Sequence, residues 1–144
     1  MTNKLKQTAA ATSNAAAEQG GVWVEYARVN EAGKIDTYRV KLSRAGTMNA
    51  QFQKVGSDLT KKFRKSGTEV ENIDLETQRK ITSEIYARTI VKDWNADDFG
   101  VSFSVEECID TFSADNDFLD FCISEAGKAS VFRKEVVQAE TGNS

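Results

Sequence analysis

Large apolar residues are nearly absent from the first twenty positions, recur with period two from Val22, and recur at helical spacing from Asn49 onward. Residues 1–20 hold one large apolar side chain, Leu5, beyond the initiator Met1. That is too little burial to offset the entropy of ordering, so they read as a flexible leader, in which an alanine-rich nascent helix would have little to pack on. Val22, Val24 and Tyr26 then alternate with Trp23, Glu25 and Ala27, and Tyr38, Val40 and Leu42 alternate with Thr37, Arg39 and Lys41. This alternation predicts a β-hairpin over 22–42 with one apolar and one mixed face. Asn30 to Lys34 forms its turn, and Gly33 is free to take positive φ. A lone hairpin is marginal in water, so it must lie on helices or join another sheet.

From Asn49 the spacing of Phe52, Val55, Leu59 and Phe63 predicts an amphipathic helix over about 49–66, ending near Ser66-Gly67. A second helix is predicted over 74–94, with Asp74 as N-cap and a stripe of Ile81, Ile85, Ile90 and Trp94, Leu75 lying near its start. Asn95 to Phe103 is a polar loop holding Gly100. Ser104-Val105-Glu106-Glu107 has the form of a capping box, with Phe103 and Cys108 placed as a hydrophobic staple. The helix it opens, 104–113, turns Val105, Cys108, Ile109 and Phe112 to one side. After a break at Ser113 to Asn116, a last helix over 117–138 is predicted from Phe118, Cys122, Ala126, Ala129 and Phe132, widened by Leu119 and Ile123. Gly127 inside it costs up to about 1 kcal/mol. Residues 140–144 should fray. The expected fold is mostly α, with an N-terminal hairpin followed by a compact bundle of about four helices in a single domain over 21–139.

Composition adds bounds. A chain of 144 residues can bury a real core as one domain. The net charge of -3 offers no global attraction to nucleic acid or anionic lipid. The charge is uneven, however: residues 1–94 carry 16 basic and 11 acidic side chains, a balance of +5, and residues 95–144 carry 3 and 11, a balance of -8. Such a dipolar chain can associate head to tail, dock a basic partner through its C-terminal part, or simply solvate an acidic face, which is the blandest reading. Cys108 and Cys122 fall inside apolar helical patterns and read as a reduced, buried pair. No apolar run resembles a signal peptide or approaches the roughly 20 residues that span a bilayer, so a cytoplasmic protein is expected.

The chain has no histidine, which removes the commonest general base and the commonest imidazole ligand. Two cysteines fourteen apart, without another soft ligand, do not make a zinc site. Gly20-Gly21 lacks the residues of a phosphate-cradling loop. Asp93-Trp94-Asn95-Ala96-Asp97-Asp98 alternates like a calcium loop but has Asp98 where Gly is needed and Ser104 where Glu is needed. Asp115-Asn116-Asp117 suits a helix N-terminus, and Glu106-Glu107 suits a cap rather than an acid–base pair. The basic run Lys61-Lys62-Phe63-Arg64-Lys65 fits a solvated helix face better than a nucleic-acid site. No catalytic, cofactor-binding or metal-ligating residue is therefore expected, and no enzyme. What remains is apolar surface. Phe99 and Phe103 in the loop, Phe121 on the flank of the last helix, and Trp94 are the candidates for a partner-facing patch.

One resemblance extends this reading. Glu84-Ile85-Tyr86-Ala87-Arg88-Thr89-Ile90-Val91-Lys92-Asp93-Trp94, the Asp97-to-Gly100 loop, Phe103-Ser104-Val105-Glu106-Glu107-Cys108, the later Asp-Phe-Leu pattern, Phe132-Arg133 and the terminal Glu140 to Ser144 follow one another in order. In that order, from Ile73 to the end, the chain resembles the tail assembly chaperones of long-tailed phages, and the upstream hairpin is compatible. The family often has Pro near the capped helix and before the last one, whereas this chain has no Pro. The resemblance implies a protein of the host cell cytoplasm that binds the tape measure protein, keeps it soluble until tail tube protein encloses it, and is absent from the mature virion. Many such proteins also have a longer, frameshifted form. Self-association is a further expectation; nucleic acid and membrane are not expected partners. Two alternatives stay open: a virion structural protein of the tail or neck, and a small nucleic-acid-binding regulator using the Lys61–Lys65 run.

Overall fold

The computed structural model describes residues 3–12, 14–65 and 74–133. It is mostly helical with a small antiparallel sheet of three strands. In chain order the elements are α1 (Lys4–Thr12), α2 (Ala15–Gly20), β1 (Val22–Val29), β2 (Ile35–Leu42), α3 (Ala50–Lys65), α4 (Leu75–Thr89), β3 (Val91–Trp94), α5 (Ala96–Phe99), α6 (Val105–Ala114), α7 (Asn116–Ala126) and α8 (Ala129–Phe132).

The hairpin follows from its alternation. β1 and β2 pair with Val22 opposite Leu42, Val24 opposite Val40 and Tyr26 opposite Tyr38, which puts all six side chains on one face. Gly33 takes φ 78 in the turn, and the Asn30 side chain accepts from the Ala32 and Lys34 amides. The inward face reaches the core, where Val40 and Leu42 are fully buried beside Tyr86, Ala87, Ile90, Phe112, Phe118 and Leu119.

The helix expected over 74–94 is shorter than its apolar spacing suggested. Asp74 caps α4 by accepting from the Thr77 amide, but the helix stops at Thr89 and the chain turns into β3. Thr89-Ile90-Val91 is a run of three β-branched residues, poor in a helix and good in a strand. Ser43, just past β2, completes the change: its amide donates to the Ile90 carbonyl at 2.8 Å and its hydroxyl to the Thr89 carbonyl at 3.0 Å, so the last carbonyls of the helix are satisfied. β3 then pairs antiparallel with β2, Val40 opposite Trp94, giving strand order β1-β2-β3. The hairpin thus joins a third strand from its own chain.

Two other boundaries differ from the sequence reading. The last helix, expected over 117–138, divides at Gly127 into α7 and α8, and the Ala126 carbonyl is taken by the Ala45 amide at 3.0 Å. Its expected residues 134–138, and the tail at 140–144, lie outside the described residues. The leader expected at 1–20 is helical where described. Asn14 caps α2, whose Glu18 accepts from Arg44 through both backbone (2.9 Å) and carboxylate (2.7 Å), ties that no local pattern announces. Asn49 caps α3, Ser104 caps α6 through the Glu107 amide at 3.1 Å, and Asp115 caps α7.

Candidate partner-binding surface

The four aromatic candidates do not share one environment. Trp94 is 3% exposed, its ring nitrogen donates to the Val101 carbonyl at 2.8 Å, and its indole lies flat on Phe99 with centroids 4.1 Å apart. Phe103 meets the indole edge-on at 5.4 Å. Trp94 is therefore a core residue holding the α5 loop to the sheet, and the expectation that it faces a partner is corrected. A satisfied ring N–H and two aromatic neighbours leave it nothing to offer outside. Phe99 and Phe103 are half-buried against this core, and Phe121 is half-buried against Tyr26 at 5.1 Å. Phe118 links the groups, packing on Tyr26, Phe99 and Phe112.

Ion pairs tie this aromatic wall to the hairpin. Arg28 reaches Asp115 and Asp117, both at 3.2 Å, and the Tyr26 hydroxyl donates to Asp115 at 3.0 Å. Burial and then the Asp115 carboxylate push the Tyr26 phenol up to about 12. On the α5 side, Asp98 accepts from the Arg39 amide and from its Nε, both at 3.0 Å, so the calcium-like run is used for capping and pairing. These hydrogen bonds hold the Asp98 carboxyl below the usual carboxylate range. A carboxyl depressed on folding adds stability above its unfolded pKa of about 3.9, and that stability is lost as pH falls through the folded value. Asp98→Asn is thus expected to lower the thermal midpoint at neutral pH, with the gap to wild type narrowing as pH falls through and below the ordinary carboxylate range. A gap that stays constant down to pH 2 would show that Asp98 acts otherwise.

Reactive chemistry is muted at the groups described. Burial pushes the Cys108 thiol up to about 12, and burial also raises Cys122, so both are held as thiols. Among the described residues no group of His, Cys, Asp and Glu could hold a metal ion, and no helix is long and apolar enough to cross a membrane.

The surface that sequence reasoning passed over is the outer face of the sheet. The core cluster lies on the inner face, and the outward register of the hairpin pairs Trp23 with Lys41, Glu25 with Arg39, Ala27 with Thr37 and Val29 with Ile35. Trp23 is 49% exposed, Val29 66% and Ile35 70%. The strip runs on the order of 20 Å at about 3.3 Å per residue. Its signal was present in the alternation, because Trp23 stands out of phase with Val22, Val24 and Tyr26. A second open feature is a groove of about 360 Å³ between α3 and α4, lined by Phe52, Gly56, Thr60, Lys61 and Ile85 among others.

Residues 47–143 match the family model described as YdaY prophage protein, a span that begins after the hairpin. Neither the curated proteins nor the solved structures contain a match.

Proposed function

The chain belongs to the YdaY prophage protein family and is phage-derived, and from that premise we propose that it is a non-enzymatic tail assembly chaperone, which binds the tape measure protein and keeps it soluble for tail tube assembly. The observation that carries this reading is the outer sheet face, where Trp23, Val29 and Ile35 are exposed. Burying one such side chain fully stabilises by about 1.5–3 kcal/mol. A strip with apolar ends and a Glu25–Arg39 polar middle suits the apolar stripe of a long amphipathic helix, which a tape measure protein exposes until the tube encloses it. Each contact is small, so shielding a long rod takes many copies, individually weak and readily displaced by tube protein. On this reading the protein acts in the host cytoplasm and leaves before the virion is complete.

Co-expression tests the proposal. The wild-type chain should move an otherwise insoluble tape measure protein into the soluble fraction, and Trp23→Ser combined with Ile35→Ser should lose most of that effect while remaining folded. An unchanged insoluble fraction with wild type would sink the reading. One observation favours a second reading: β1 is an eight-residue edge strand with one side unpaired among the described residues, as a virion structural protein joining a neighbour's sheet would need. Mass spectrometry of purified particles separates the two, since a structural protein persists at fixed copy number.

A further inference from the structure

Residues 96–127 hold nine carboxylates and no basic side chain. Five of them are engaged: Asp98 by Arg39, Asp115 and Asp117 by Arg28, Asp120 by Arg79, and Glu125 by Lys128. The other four, Asp97, Glu106, Glu107 and Asp110, are exposed and form no ion pair among the described residues. Three of these lie on α6, with Glu106 and Asp110 one turn apart on its outward side and half-buried Val105 and Ile109 at its margin. Val101, 40% exposed, precedes them.

The opposite charge sits on α3, which carries five basic residues against one acidic, Asp58. Lys54 reaches Asp58 at 3.8 Å, whereas Lys61 and Lys62 are exposed and form no ion pair among the described residues. Lys61 rims the α3–α4 groove, whose floor is apolar at Phe52 and Ile85, where a Cβ added at Gly56 would stand 3.8 Å from Ile85 Cδ1. α4 packs against both α3 and α6, so the basic and the acidic helix flank the same central helix.

We propose that this basic-rimmed groove receives the acidic α6 face of a second copy, so that copies of the chain associate head to tail. The two patches complement each other in charge and in kind: an apolar floor with Lys61 at its rim, and Lys62 next to it along α3, meets a carboxylate-rich helix with a valine and isoleucine margin. They are different patches, so the contact is heterologous and leaves one free groove and one free α6 face at the ends of each assembly, giving open chains rather than a closed dimer. The outer sheet face takes no part.

Sedimentation of the full chain over a concentration series tests this. Mass should rise with concentration without a fixed stoichiometry at about 0.1 M salt, where charges act over roughly 10 Å, and the association constant should fall at least about tenfold at about 1 M salt, where the range is near 3 Å. Glu106→Lys with Asp110→Lys, and separately Lys61→Glu with Lys62→Glu, should each sediment as monomers with wild-type circular dichroism and thermal midpoint. Mixing the two variants should restore association, because one then offers only basic faces and the other only acidic ones. A wild-type chain that stays monomeric, a closed dimer insensitive to salt, or reversed variants that associate like wild type would overturn the proposal. Because no tape measure protein is present, this result is independent of the co-expression outcome.

Discussion

Phe118→Ala is expected to cost about 4 kcal/mol of folding stability, the largest loss of any single ring in the protein. Phe118 is 1% exposed and packs on Tyr26 at 5.2 Å, Phe112 at 5.3 Å and Phe99 at 5.7 Å, so its removal takes one partner from three rings on three different elements. The hole sits where the hairpin, α5, α6 and α7 converge. Collapse around it would require the sheet to shift against α7, and the Arg28 pairs to Asp115 and Asp117 oppose that movement. With total stabilities of 5–15 kcal/mol typical of domains, the variant should be close to unfolded at physiological temperature. Phe121→Ala supplies the comparison. Phe121 is half-buried and its one ring neighbour among the described residues is Tyr26, so about 1–2 kcal/mol is expected. Denaturant titration of both variants, with m unchanged, reads the difference directly. Equal losses at the two positions would mean that the aromatic wall is not organised around Phe118.

What could be read from sequence was what is decided within a few residues. Ser104, Asp74 and Asp115 each bond an amide two or three positions ahead, so cap and partner stand together in the chain. The faces of the hairpin were equally plain, because a period of two is local and Val22, Val24 and Tyr26 announce it. β3 was not readable in this way. Ile90 and Trp94 are four apart and satisfy a helical stripe as well as a strand, and what decides between them is β2, about fifty residues earlier, whose Val40 pairs with Trp94. The same distance problem hid the burial of Trp94, which depends on Phe99 folding back across its face, and the tie of α2 to the body, which depends on Arg44.

The candidate surface was harder still. From sequence, a loop setting marks Phe99 and Phe103 as candidates and a helix flank marks Phe121. Exposure is set instead by which face a neighbouring layer covers. Trp23 lies in a strand, where sequence reasoning passed it over, yet it is 49% exposed on the side of the sheet opposite the core cluster. Phe99 lies in the loop but is drawn in by Trp94 and Tyr38. The charge asymmetry between the two parts of the chain was visible in composition. Its meaning as two flanking patches required knowing that α4 separates α3 from α6 along the fold.

Gly21→Ala and Gly20→Ala should move stability in opposite directions, although they add the same methyl group at adjacent positions. Gly21 has φ 101 and ψ 160, a conformation essentially confined to glycine. A Cβ there would stand 3.0 Å from Lys41 Cγ and 3.1 Å from the Leu42 carbonyl oxygen. The lysine can swing aside. The carbonyl cannot, because β2 is held by β1 on one side and β3 on the other. The strained backbone alone costs about 1–3 kcal/mol, so with the contact a loss near the top of that range is expected. The amide of Gly21 also caps α2 through the Ala17 carbonyl at 2.9 Å, so relaxing the strain by turning the backbone would break that bond and pull α2 from β1. At Gly20, the last residue of α2, nothing lies within 4 Å of an added Cβ and φ is ordinary. There the methyl only restricts the unfolded chain and favours the helix, a gain of up to about 1 kcal/mol. Thermal midpoints of the two variants measured side by side decide the matter. A Gly21→Ala chain as stable as Gly20→Ala would mean that the turn from α2 into the hairpin does not pass through positive φ, and the entry of β1 into the sheet would have to be redrawn.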